Sequence, residues 1–173
     1  SQGYATGQFG KNHQGDRDEH LPTVHGFDEF FGNLYHLNAE EEPETYFYPK
    51  DPAFHERFGP RGVLHCTATE AVHSQADDPR FGAWGKQTCE DTGPLTIERM
   101  KSVDDQLTDL SSDWLKQQKA ADKPIFLWYN PSRMHQKIHV SDEWLGKSGH
   151  TEYTDAILQL DSLVGKLLKS LDD

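Results

Sequence analysis

Residues 3–15, Gly-Tyr-Ala-Thr-Gly-Gln-Phe-Gly-Lys-Asn-His-Gln-Gly, place Lys11 and His13 two positions apart, with glycines at 7, 10 and 15. Positions i and i+2 project the same way only on extended backbone. If a short strand ends and tightens at Gly10, both cationic side chains aim at one small anion. A second concentration is Asn130-Pro131-Ser132-Arg133-Met134-His135, with His139 four residues further on. In α/β proteins ligands gather beyond the carboxyl ends of parallel strands. Two such tips side by side would bring Lys11, His13 and His135 to one anion-sized pocket. His135 and His139, at i and i+4, could instead chelate a metal on a helix. The preceding Pro131 and the lack of an obvious third ligand argue against that. A phosphate-cradling loop fails too, because Gly-x-x-x-x-Gly-Lys-Ser/Thr would need glycine at Ala5 and a hydroxyl at Asn12. No dinucleotide fingerprint fits.

These residues need elements to hold them. Tyr4, Thr6 and Phe9 favour a short strand over 3–9, followed by a loop from Gly10 to Gly15. After a polar stretch comes Gly26-Phe27-Asp28-Glu29-Phe30-Phe31-Gly32, an aromatic knot that reads as packing. From 33 to 95 no period holds for long. That stretch is predicted to be a long irregular insertion, with one strand over Val63–Thr69 and a solvated turn at Glu40-Glu41-Glu42. A helix is predicted over 97–119: Ile97, Met100, Val103, Leu107, Leu110 and Trp114 recur at three- and four-residue steps, and Thr96 suits its N-cap. The continuous apolar run Ile125-Phe126-Leu127-Trp128-Tyr129 predicts a strand over 124–130 buried on both faces. A polar loop leads to a helix over 152–171, with Tyr153, Ile157, Leu160, Val164, Leu167 and Leu171 on one face. The order is α/β, a mostly parallel sheet with flanking helices. A doubly buried parallel strand needs more neighbours than this chain offers, so the sheet is expected to be incomplete.

Composition bounds the partners. A length of 173 residues fits one domain, and both the 34% hydrophobic content and the mean hydropathy of −0.83 are low for a compact enzyme. The two apolar helices are expected to lack part of the surface they were built to cover. A net charge of −12 excludes a general binder of nucleic acid or of anionic membranes. Any anionic substrate must be held by a local cationic site. Cys66 and Cys89 have no C-x-x-C spacing and allow one disulfide or none. No run of apolar residues is long enough to span a bilayer.

The motifs resemble those of the type I sulfatases. Gly3-Tyr4-Ala5-Thr6 and Gly10-Lys11-Asn12-His13-Gln14-Gly15 are similar to the family's Gly-Tyr-x-Thr…Gly-Lys-x-His-x-Gly signature, and the 26–32 knot to the segment after it. Pro60-Arg61-Gly62-Val63, Asp91-Thr92-Gly93-Pro94-Leu95-Thr96, Arg99-Met100 and Lys123-Pro124-Ile125-Phe126 leading to Arg133-Met134-His135 resemble a bacterial arylsulfatase branch. Tyr153, Asp155, Asp161 and Gly165 match the helix that follows. The family more often carries Trp at Asn12 and Leu at Gln14. Its Cys/Ser-x-Pro-Ser/Ala-Arg nucleophile motif is absent; Pro131-Ser132-Arg133 copies the tail by coincidence, with Tyr129 where the Cys would stand. The Asp-Asp and Asp-Asn-Gly metal segments and a distal lysine are also absent.

The resemblance implies an alkaline-phosphatase-like sandwich of which 1–173 is the central portion, inactive alone, completed by the remainder of the catalytic domain. It implies sulfate-ester hydrolysis through a formylglycine nucleophile and a calcium ion, both held outside this chain, on a small-molecule or glycan sulfate ester, in the bacterial periplasm or outside the cell. Lys11 would bind sulfate and stabilise developing charge. His13 would take the proton whose loss expels sulfate. His135 would bind sulfate and serve as acid to the leaving alcohol. No residue here is assigned as a metal ligand. The alternatives are a phosphodiesterase or phosphonate hydrolase of the same fold, and a non-enzymatic His-rich metal-binding module.

Overall fold

The computed structural model describes residues 2–72 and 77–172. Strand β1 (Ala5–Gly10) runs parallel to β5 (Ile125–Asn130), in register from Ala5 opposite Ile125 to Gly10 opposite Asn130. On its other side β1 pairs, again parallel, with β2 (Glu29–Gly32). Antiparallel β3 (Leu64–Ala68) and then β4 (Gln87–Asp91) complete the order β4-β3-β2-β1-β5. Only β3 runs against the other four. Residues 3–9 and 26–32 thus deliver neighbouring strands. Side chains alternate across a pleated strand, so in β2 Phe31 joins the core beside Phe9 while Phe30 joins the opposite cluster with Leu21, Leu34 and Leu64.

The region 33–95 is not irregular throughout. It holds α1 (Leu37–Glu41), α2 (Pro52–Phe58), β3 and β4; its residues 73–76 lie outside the described residues. Helical and strand periods are hard to see there because each of these elements is short, five to seven residues being too few to show a period. Cys66 and Cys89 sit opposite each other in the β3–β4 ladder and form a disulfide. The acidic run is not a solvated turn: Glu40 and Glu41 are buried, and burial pushes the Glu40 carboxyl up to about 8.

The helix expected over 97–119 is two. Thr96 caps α3 (Ile97–Met100), its hydroxyl accepting the Arg99 amide, and α4 (Val103–Ala120) begins after a break at Lys101-Ser102. The break has a tenant. The Met100 and Lys101 carbonyls, released from helical pairing, accept the Arg133 guanidinium at 3.1 and 2.9 Å, and Lys101 also accepts the Gln159 amide at 3.2 Å. From the first turn of α4, buried Asp104 accepts the backbone N–H groups of Ser132 at 2.6 Å and Arg133 at 3.2 Å, and lies 3.6 Å from the Arg133 guanidinium. Trp114 then packs its ring 5.9 Å from Phe9, fixing α4 against β1.

Two packing expectations are corrected. β5 is not buried on both faces: it is an edge strand paired with β1 alone, and Phe126 and Trp128 are about half exposed beside the Phe27 ring. The helix expected over 152–171, here α5 (Glu152–Asp172), turns a different side inward. Ala156, Gln159, Leu163 and Leu167 are buried, whereas Tyr153, Ile157, Val164 and Leu171 are exposed. Hydrogen bonds choose that side. Gln159 donates to Lys101 and to Asp105, and Asp155 accepts the Gly146 and Ser148 amides, both at 2.7 Å. Among the described residues no helix is long and apolar enough to cross a membrane.

Replacing Asp104 by alanine strands Arg133 in the interior without its countercharge. Urea unfolding of Asp104→Ala is expected to show a loss of about 3–5 kcal/mol; a loss below about 1 kcal/mol would contradict the role given to this pair.

Candidate active site

The site is built where three parallel strands end together. Gly10 closes β1 with φ +123°, and a Cβ there would lie 1.7 Å from the Asn130 carbonyl oxygen; one at Gly32 would lie 1.8 Å from the Gly10 carbonyl oxygen. Only glycine permits that approach and that φ. The chain then passes between its neighbours: Lys11 N–H donates to the Asn130 carbonyl at 2.8 Å, and Asn12 N–H to the Asn33 carbonyl at 2.9 Å. Ser132 Oγ donates to Asn33 Oδ1 at 3.0 Å and ties the third tip in. Residues 11–14 follow one another along the cleft that opens at this tip, Asn12 and Gln14 included. Asn12 is buried, Lys11 is half-buried and His13 is exposed. Lys11 and His13 line a cleft of about 550 Å³ with Gln8, Asn130 and Trp128.

His135 reaches this corner through a residue that the motif spacing did not single out. The His13 ring lies 5.6 Å from the His36 ring, and His36 stacks on His135 at 5.7 Å with only 4° between the planes. Three imidazoles therefore form a row. His36 precedes α1 and caps it, Nδ1 accepting the Ala39 amide at 3.2 Å. With ten histidines in the chain, and histidine outside the preferred N-cap types, nothing in the sequence set it apart. His135 Nδ1 accepts the Lys137 amide at 3.3 Å, which leaves Nε2 as the N–H donor of the neutral ring. Its pKa lies below the ordinary histidine value, first because burial penalises the charged ring, then because His36 and the Lys11 ammonium are close; Glu41 pulls weakly the other way.

His139 is engaged elsewhere. Its Nε2 meets Glu41 Oε2 at 2.7 Å, and Lys137 reaches Glu41 Oε1 at 3.2 Å. Burial alone would raise the Glu41 carboxyl, but these two partners outweigh it and hold the group below its usual range. Among the described residues no group of three or more His, Cys, Asp or Glu is placed to hold a metal ion. A calcium ion takes six to eight oxygen ligands. The imidazoles and ammonium at this corner do not fit one; they suit an anion.

The sulfatase family model matches residues 1–173. The chain is 28% identical over 175 residues to N-acetylgalactosamine-6-sulfatase of Canis lupus familiaris, an alignment covering 99% of this chain and 28% of that protein. It is 25% identical over 176 residues to arylsulfatase A of Bos taurus, covering all of this chain and 31% of that one. Among solved structures, PsFucS1 sulfatase from Pseudoalteromonas sp. matches with a TM-score of 0.71 at 22% identity, over 98% of this chain and 32% of that one, a likeness of fold. The chain thus spans less than a third of the length of these relatives.

The electrostatics of the corner can be read directly. In NMR titrations the His135 imidazole is expected to have its midpoint below that of an unperturbed histidine. Lys11→Ala and, separately, added inorganic sulfate should each move it upward, the first by removing a like charge and the second by adding an opposite one. A midpoint at or above the unperturbed value, or one indifferent to both changes, would refute this account.

Proposed function

The chain belongs to the sulfatase family, and from that premise we propose that it supplies the sulfate-binding and proton-handling residues of a sulfuric ester hydrolase. The observation that carries the reading is the row His13–His36–His135 beside Lys11, at the carboxyl ends of β1 and β5, in a chain of net charge −12. Such a row has little use except to hold an anion against the field of the rest of the molecule.

Lys11 contacts the sulfate oxygens as a point charge. Its backbone amide, tied to the Asn130 carbonyl, keeps the residue at the strand tip, from which the ammonium can meet charge that grows as the ester bond breaks. His13, the exposed ring, is the proton acceptor, free to exchange with solvent. His135 presents Nε2–H to a sulfate or leaving-group oxygen. Its lowered pKa keeps the empty site from holding a surplus cation, and the arriving anion raises it toward neutrality, where an imidazole passes protons best. A formylglycine nucleophile and a calcium ion would come from other segments of the whole protein, so this chain by itself is expected to turn over no ester. The substrate would be a small-molecule or glycan sulfate ester.

The test uses the full-length enzyme with 4-nitrophenyl sulfate and an aryl phosphate diester. Lys11→Ala and His135→Ala should each lower kcat/KM for the sulfate by about 10²–10⁴-fold. Full activity in either variant would remove its assigned role, and faster turnover of the diester would favour a phosphodiesterase of the same fold.

A further inference from the structure

We propose that α1 is a clamp on the loop carrying His135, with His36 and Glu41 as positioning residues that fix the orientation of its ring. The inference rests on the role given to His135 above.

A helix of five residues, Leu37–Glu41, has too few hydrogen bonds to stand alone. It is held by what its ends touch, and both ends touch the same loop. At its start His36 is pinned by the cap bond from the Ala39 amide to Nδ1, and presents its ring parallel to that of His135, 4° apart in plane and 5.7 Å between centroids. At its finish Glu41, with a side chain only 8% exposed, accepts His139 Nε2 at 2.7 Å and Lys137 Nζ at 3.2 Å. The contacts thus bracket residues 135–139. From the other side Arg133 donates to the His139 carbonyl at 3.1 Å, so the loop is gripped on two sides of the reacting ring. Leu37, buried in the main core, anchors the clamp to the sheet.

The arrangement also accounts for a carboxylate, Glu41, that a polar turn would not bury. The Glu41 carboxylate is retained inside because the Lys137 ammonium and the His139 ring nitrogen both meet it there. Neither His36 nor Glu41 needs to touch the ester. Their effect passes through the His135 ring, and displacing a catalytic group by about 1 Å can cost on the order of 10²-fold in rate.

The full-length enzyme with 4-nitrophenyl sulfate decides it. His36→Asn keeps a good cap and removes the stacked ring; it should lower kcat roughly 10–100-fold with KM changed less than about threefold. His36→Phe restores a ring to the stack and should recover most of that loss. Glu41→Gln, which frees His139 and Lys137 from the charge, should lower kcat in the same manner. In a His135→Ala background each of these changes should cost less than about twofold, because the residue they position is gone. Equal losses with and without His135, or no rescue by His36→Phe, would overturn the clamp while leaving the sulfatase reading intact. A wild-type rate in His135→Ala would instead overturn the role of His135, and the clamp with it. If Glu41→Gln lowers the melting temperature, the two His36 variants still decide the matter, since they differ in ring and cap separately.

Discussion

The structure depends on one buried ion pair. Arg133 and Asp104 lie almost wholly inside the protein, and neither could remain charged there alone. Asp104 is met by two backbone N–H groups and lies 3.6 Å from Arg133 Nη1, and the other terminal nitrogen, Nη2, is shared among the carbonyls of Met100, Lys101 and His139. Each of those bonds fixes something different. The bonds to Met100 and Lys101 hold the break between α3 and α4. The bonds from Ser132 and Arg133 to Asp104 stop β5 two residues after its end and turn the chain toward His135. The bond to His139 starts the loop that α1 then grips. A salt bridge between two side chains would fix a distance; this one fixes where four segments of chain may go.

The second constraint is steric. The tips of β5, β1 and β2 approach so closely at Gly10 and Gly32 that no Cβ fits. That closeness brings Lys11, Asn33 and Asn130 within a few residues' reach of one another although they are distant in sequence. It also explains the order of motifs along the chain. A strand that must end in glycine beside a neighbour ending in Asn-Pro puts Lys11 and His13 after one tip and His135 after the next, the two histidines linked through the ring of His36. The tip geometry thus does for Lys11 and Asn12 what Arg133 does for the loop behind them.

Those features that rest on local pattern were legible in the sequence. The β1 and β5 strands, the tightening at Gly10, the cap at Thr96 and the α/β order all follow from spacing, propensity and capping chemistry. What was not legible shares a physical cause: a polar group finding its partner at long range. The apolar steps from Ile97 to Trp114 run through the α3–α4 break without faltering, because the break is made by Arg133 more than thirty residues on. The inward side of α5 is set by Gln159 and Asp155, not by the more numerous apolar residues. Glu40 and Glu41 look like solvated charges until His139 and Lys137 arrive at the second of them. β5 misled for another reason. Its apolar run reads as a strand covered on both faces, whereas it lies at the sheet edge with Phe126 and Trp128 about half exposed.

These two kinds of constraint bear differently on chemistry. An anion site in a protein of net charge −12 cannot rely on the overall field, which repels its ligand. It must assemble positive charge and N–H donors locally, and that assembly is costly while the site is empty. At this corner the burial of His135 and its neighbours His36 and Lys11 disfavour a charged ring, which lowers the cost of holding positive charge together there. A ring with a pKa set by its surroundings must also stay in those surroundings, for a small rotation would change both its burial and its distance from Lys11. Electrostatic tuning and mechanical restraint are therefore one requirement. The buried Arg133, the capped His36 and the doubly bonded Glu41 meet it from three directions, and Lys11 needs only the strand tip because an ammonium has no plane to orient.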